Sequence, residues 1–231
     1  MGENVSMSAP STEILPSDLL LIIDVQRDFC AGGRLAVPDG DAVVPLINGI
    51  ALLFAHVILT QDWHPAGHTS FASTHKGHHP YDTTTVDYGE QTLWPDHCVQ
   101  GTPGAEFHPD LNVARAELIL RKGFRPGIDS YSAFLENDKQ TATGLAGYLR
   151  ERGFRRIFLA GLAYDYCVRS SAVDGKRAGF ETLVLEDACR AVGLPGSVDA
   201  TEREFAQLGI PRIATENLFS HAFAAHPAQR R

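Results

Sequence analysis

Short apolar runs alternate with amphipathic stretches along most of this chain. Leu19–Asp24, His56–Thr60, Glu117–Arg121, Arg156–Leu159 and Thr182–Leu185 are rich in aliphatic residues, and Arg212–Ala214 is a weaker sixth run. Runs that are apolar on both faces suit strands of a parallel sheet with helices packed above and below. Helical periodicity falls between them, over Asp41–Phe54, Thr143–Arg152, Cys167–Ala178 and Ser197–Leu208. Pro45 must then lie in the first turn of the first helix, where its missing N–H does least harm. Gly153 is placed to end the second helix. Ser197 is placed to N-cap the fourth, whose Val198, Thr201, Phe205 and Leu208 share a face. This alternation predicts an α/β three-layer sandwich with a central, mostly parallel sheet of about six strands, wound by right-handed crossovers.

The rhythm breaks at 63–116, a stretch rich in His, Pro, Gly and Thr without clear periodicity. Irregular insertions of that length inside a compact domain usually carry function. Eight of the ten histidines lie within His56–His108, which points the same way. Residues 1–17 are polar, lack the basic and apolar regions of a signal peptide, and read as a disordered tail. Residues 18–231 read as one domain; 231 residues with 44% hydrophobic and 21% charged content are ordinary for such a fold. A net charge of −8 argues against nucleic acid as the main ligand. No apolar run approaches the roughly 18 residues that span a bilayer. Cys30, Cys98, Cys167 and Cys189 are far apart with no Cys-x-x-Cys pair. That argues against cysteine-rich structural zinc and a disulfide framework, and for a reducing cytoplasm.

In open parallel sheets, ligands bind beyond the carboxyl ends of the strands. The first run ends in Asp24, the second leads to Gln61 and Asp62, the third to Lys122, and the fourth to Ala163 and Cys167. Asp24 follows Leu21-Ile22-Ile23, and burial there would raise its pKa towards the working range of a base. The alternative is a strand-terminal Asp that binds loop N–H groups. Lys122 alone reads as a lysine reaching for solvent. Beside Asp24 it becomes a fixed cation that orients the carboxylate and stabilises a neighbouring thiolate. Cys167 follows a small-residue turn at the expected N-terminus of a helix, whose free N–H groups favour a thiolate. A buried structural cysteine is the competing reading. In Asp62-Trp63-His64, positions two apart in extended chain face the same side, and an Asp oxygen with a His nitrogen suits Zn, Fe or Mn. His97 is a candidate third ligand, and His68 a further ligand or a supporting partner. His75, His78 and His79 read as part of a solvated loop.

Together these segments resemble a known family. Ile23-Asp24-Val25-Gln26-Arg27-Asp28-Phe29-Cys30 with Gly32-Gly33 resembles the opening motif of nicotinamidases, in the isochorismatase-like cysteine hydrolases. Gln61-Asp62-Trp63-His64-Pro65 and His68-Thr69-Ser70-Phe71-Ala72 resemble the metal-binding loop, and Trp94 through Ala105 the tryptophan–histidine motif. Lys122-Gly123, Asp129 through Phe134, and Gly161 through Val168 resemble the lysine and cysteine segments, all in the expected order over residues 19–190. The implied fold is isochorismatase-like and Rossmann-like, with a metal-binding insertion at about 63–116. The implied activity is metal-dependent hydrolysis of nicotinamide to nicotinate and ammonia through a cysteine thioester, in NAD salvage, extending to pyrazinamide. The resemblance assigns Asp24, Lys122 and Cys167 to a catalytic triad, and Asp62, His64 and His97 to one divalent ion (Zn, Fe or Mn). It assigns the N–H groups of Ala163 and Cys167 to an oxyanion hole beside a cis Leu162–Ala163 peptide. Phe29, Trp94, Tyr131 and Ala163 would contact the substrate. Arg27 stands where Asn is common and Tyr164 where Thr is common, and both are expected to reshape the pocket rim. The implied partner is a small molecule, with neither nucleic acid nor membrane, and a homo-oligomer is compatible with this reading. Metal-free amidases and vinyl-ether hydrolases of the same superfamily are the second reading, opposed by the Asp62–His64–His97 set. A non-catalytic metal- or pyridine-binding protein is the third, opposed by the complete triad.

Overall fold

The computed structural model describes residues 12–219. Six parallel strands form the central sheet: β1 (Leu19–Ile23), β2 (His56–Asp62), β3 (Leu118–Lys122), β4 (Arg156–Leu162), β5 (Glu181–Arg190) and β6 (Arg212–Ile213). Their spatial order is β3-β2-β1-β4-β5-β6. The chain therefore winds outward from β1 through β2 to β3, then returns to the other side of β1 and winds outward again. That reversal opens a crevice at the carboxyl ends of β1 and β4. Leu19 pairs with both His56 and Ile157, so the three inner strands start level, and β2 and β4 run on beyond the end of β1.

Alternation along β1 divides the core. Leu20 and Ile22 face one layer with α1 (Val43–Ile50), through Val43, Val44, Ile47 and Ile50. Leu19, Leu21 and Ile23 face the other layer. There they meet Leu145 and Leu149 of α2 (Leu145–Glu151), Ala172 and Val173 of α3 (Arg169–Arg177), and Phe205 of α4 (Ser197–Leu208).

Strands β2 and β4 continue past their apolar runs, because Gln61, Asp62, Gly161 and Leu162 keep their ladder partners on β3, β1 and β5. The first helix is shorter than Asp41–Phe54: a 3-10 turn over Gly40–Ala42 leads into it, and Leu53 N–H bonds Ile50 C=O in a tightened end. Pro45 does fall in its first turn. Gly153, at φ +78°, ends the second helix as expected. Ser197 is not the N-cap of α4; Gly196 holds that position at φ +79°, and the Ser197 hydroxyl bonds Asp165 Oδ2 at 2.5 Å. The expected helix from Cys167 begins instead with a π-helical turn over Tyr164–Val168. Part of the expected tail is ordered. Thr12–Glu13 pairs in parallel with Leu218–Phe219, and Ile14 is buried in the core, whereas residues 1–11 lie outside the described residues. Within 63–116 the chain forms 3-10 turns and an antiparallel hairpin of Thr83–Val86 with Gly89–Thr92. Among the described residues no helix is long and apolar enough to cross a membrane.

Candidate active site

Asp24, one residue past β1, sits at φ +47° and is fully buried. Its Oδ1 accepts a 2.6 Å hydrogen bond from the Thr60 hydroxyl on β2. Its Oδ2 lies 2.8 Å from Lys122 Nζ, yet no well-directed hydrogen bond reaches that oxygen, so a lone pair stays open. Lys122, the last residue of β3, is itself buried. Its ammonium also donates to Asp62 Oδ1, to Ser130 C=O at 2.9 Å, and to Cys167 Sγ at 3.5 Å. The three groups expected to form a triad are thus brought together from three different strand ends.

Burial raises the Asp24 pKa to about 6, against the opposing pull of the Lys122 charge. Burial alone would discharge Lys122, but Asp24 and Asp62 outweigh it and hold the amine protonated. Burial also pushes Cys167 well above a free thiol, with Lys122 only partly offsetting it. Burial thus opposes the thiolate that a helix N-terminus favours, and a base is needed to take the Cys167 proton.

Asp62, His64 and His97 offer ligand atoms that all lie within 4.8 Å of one another, and all three are buried. His64 Nδ1 donates to Gly123 C=O at 2.9 Å and His97 Nδ1 to Pro95 C=O at 2.8 Å. Each carbonyl engages Nδ1 and turns Nε2 towards Asp62. The two Nε2 atoms face Asp62 Oδ2 at 3.6 and 3.9 Å. Burial works against a charge on His64, but Asp62 outweighs it and raises His64 above an ordinary imidazole, so its Nε2 must give up a proton before it can bind an ion. Burial pushes His97 down to about 4, and the His64 charge adds to this, so His97 stays a neutral donor. Burial works against the Asp62 charge, but Lys122 and His64 keep it ionised. One carboxylate oxygen and two oriented imidazole nitrogens fit a divalent ion. His68 stands beside His64 at 4.5 Å between ring centroids, with Nδ1 on Ser70 Oγ at 2.8 Å and Nε2 on Arg125 C=O at 2.9 Å. Both its ring nitrogens are engaged, which is the supporting role.

Gly123 sits at φ +66°, and a Cβ there would lie 2.4 Å from His64 Cε1. Gly123→Ala is therefore expected to displace the His64 ring, lowering bound metal per protein well below that of the parent. Metal analysis of the purified variant checks this.

A narrow, partly open cavity joins Cys167 to the Asp62–His64–His97 cluster. Cys167, Asp62, His64 and His97 reach it, and Phe29, Trp94, Tyr131 and Ala163 line it as expected. Tyr131 OH accepts from Trp94 Nε1 at 2.9 Å, which fixes two flat walls near a right angle, 81° between planes. The Leu162–Ala163 peptide is cis.

Sequence reasoning missed several residues. Tyr166 packs edge-on to Trp94 at 4.8 Å, and Leu35, Asp129 and Val192 complete the wall. Asp165 holds Val192 in place by accepting from the N–H groups of Val192 and Gly193, each at 2.9 Å. Gln26 pins the Asp62 backbone from both sides, donating to its C=O and accepting from its N–H, each at 2.8 Å. Arg27 and Tyr164 do not reach the cavity. Arg27 pairs with Glu106 at the surface, and Tyr164 packs edge-on against Phe205 of α4.

The isochorismatase domain matches residues 18–217 of this chain. The chain belongs to the isochorismatase family. It is 48% identical over 199 residues to a nicotinamidase of Acinetobacter baylyi, covering 86% of this chain and 93% of that one. A nicotinamidase/pyrazinamidase structure from Acinetobacter baumanii superposes with a TM-score of 0.87 at 50% identity, over 88% of this chain and 98% of that one. An L. infantum structure in complex with nicotinate gives 0.80 at 37% identity, over 92% and 100% of the two chains. A Pyrococcus horikoshii pyrazinamidase in complex with zinc gives 0.70 at 35% identity, over 86% and 99%. The family's fold is the sandwich described above, and the expected fold class holds.

Proposed function

We propose that this protein is a metal-dependent nicotinamidase: it hydrolyses nicotinamide to nicotinate and ammonia through a thioester on Cys167, in NAD salvage. The observation that carries this reading is one flat-walled cavity reached by a buried Asp–His–His set and by the Cys167 thiol, behind which the Asp24 carboxylate and Lys122 ammonium are buried. Relatives named for this reaction, and similar structures with nicotinate and with zinc, support it. Pyrazinamide, which offers the same flat ring and carboxamide, is a second substrate.

The ring lies between Phe29, Trp94 and Tyr131, where flat apolar walls match its faces. Asp24 Oδ2 takes the proton of Cys167, and sulfur attacks the carboxamide carbon. The N–H groups of Ala163 and Cys167 hold the oxyanion. The C–N bond breaks as Asp24 passes its proton to the departing nitrogen, giving ammonia and a thioester. Asp24 then deprotonates water, which cleaves the thioester to nicotinate and returns the thiol. Lys122 stays charged throughout and keeps Asp24 aimed. Asp62, His64 and His97 would hold a divalent ion, which would supply a Lewis acid for the ring nitrogen. Four free, buried cysteines support a cytoplasmic setting.

Ammonia release from nicotinamide, with and without chelator, tests this reading. Turnover that is lost on chelation and restored by a divalent ion is expected. No ammonia from nicotinamide would overturn the activity, and turnover indifferent to chelation would remove the metal dependence. The pH profile is a separate check. Asp24 must be ionised to act as base, so kcat/KM is expected to fall as pH drops through about 6. No alkaline limb is expected up to about pH 9, because Cys167 and Lys122 both titrate well above their ordinary values.

A further inference from the structure

A second group of unlike metal donors lies outside the catalytic cavity. Cys30 follows the 3-10 turn Arg27–Phe29, Asp41 lies in the turn Gly40–Ala42, and His108 comes from the insertion. Their ligand atoms all lie within 4.8 Å of one another. They line a surface cleft that shares no residue with the cavity between Phe29 and Cys167. Cys30 is buried, the His108 side chain is 13% exposed and the Asp41 side chain 45%, so the group meets solvent on one side only. Asp41 Oδ2 is held by the Ala31 N–H at 2.8 Å, and its Oδ1 faces His108 Nε2 at 3.1 Å. One thiol, one imidazole and one carboxylate form a mixed soft and hard set that suits a borderline ion, with a fourth position left to water.

We propose that Cys30, Asp41 and His108 bind a second divalent ion, Zn²⁺ or a similar borderline metal, which ties three turns together behind the cavity wall carrying Phe29. Binding forms one bond each to sulfur, nitrogen and oxygen and releases one proton, that of the thiol. The imidazole proton moves from Nε2 to Nδ1, which gives up the long 3.2 Å bond from Asp110 N–H at an exposed position that water can serve. Thiolate and carboxylate together neutralise the ion.

The test uses the full chain as its Cys167→Ala variant, which removes the thiol of the other site, stripped with chelator and titrated with Co²⁺. The expected result is two bound ions and a near-ultraviolet thiolate-to-cobalt charge-transfer band. Adding Cys30→Ser or His108→Ala should each remove one ion, and Cys30→Ser should abolish the band. Adding His64→Ala should remove the other ion and leave the band. A single ion with the band in the Cys167→Ala parent would still uphold this site while removing the metal from the proposed nicotinamidase site. Persistence of the band in Cys30→Ser, or equal binding in parent, Cys30→Ser and His108→Ala, would overturn the proposal. Far-ultraviolet circular dichroism of the stripped variants establishes that each is folded, and Asp41→Asn, which keeps side-chain shape, should weaken binding in a variant less disturbing to packing.

Discussion

Cys167→Ala is expected to lower ammonia release from nicotinamide by about 10⁴-fold or more while leaving nicotinamide binding in place. The size of the loss follows from chemistry, because Cys167 supplies the only thiol among the described residues lining the cavity between Phe29 and Val192. Binding should survive because the ring's walls, Phe29, Trp94 and Tyr131, do not depend on the sulfur. The fold should also survive. Removing one sulfur atom leaves a void next to a cavity that is already present, and its cost lies at the lower end for core truncations. Steady-state ammonia assays with calorimetric binding of nicotinamide give both numbers. Residual turnover within a hundredfold of the parent would reject Cys167 as the nucleophile.

Lys122→Met keeps the side chain's length and removes its charge. It leaves Asp24 and Asp62 buried beside each other with their shared counter-ion gone. Breaking a buried pair in this way costs about 3–5 kcal/mol. Activity should be lost with it, since Asp24 would then be protonated at neutral pH and could not accept a proton. The destabilisation has a sign that depends on pH. Lys122 favours the charged carboxylates, so its removal costs most where they must ionise, and the deficit should shrink as pH falls towards about 5. Denaturant midpoints of parent and variant at two pH values test this, and equal stability at neutral pH would show that Lys122 is not the counter-ion described here.

The sheet was legible because its inner strands are apolar on both faces, and the residue after each apolar run marked the site. Asp24 and Lys122 could be named from that rule and Cys167 from the small-residue turn after the fourth run, and the family resemblance supplied a common purpose for them. Helix boundaries were less legible. Gly196 in a left-handed conformation displaced Ser197 as the cap, and the π-helical turn at Tyr164–Val168 depends on tertiary packing that periodicity does not encode. The balance acting on the Cys167 thiol is not local either. A helix N-terminus lowers a thiol pKa, but full burial raises it further, and burial at that position is a property of the assembled layers. Gln26, Asp165 and Val192 act through contacts with distant segments, so no local pattern could give them their roles.

The shared ammonium limits how the two halves of the pocket can be redesigned. Lys122 touches Asp24 and Asp62 at once, and the Asp62 charge is one of the influences that keep Asp24 basic. An engineer who deletes Asp62 to obtain an ion-free hydrolase hands the whole cation to Asp24. The remaining carboxylate then becomes a poorer proton acceptor, so such a variant would need a compensating change around β3 as well.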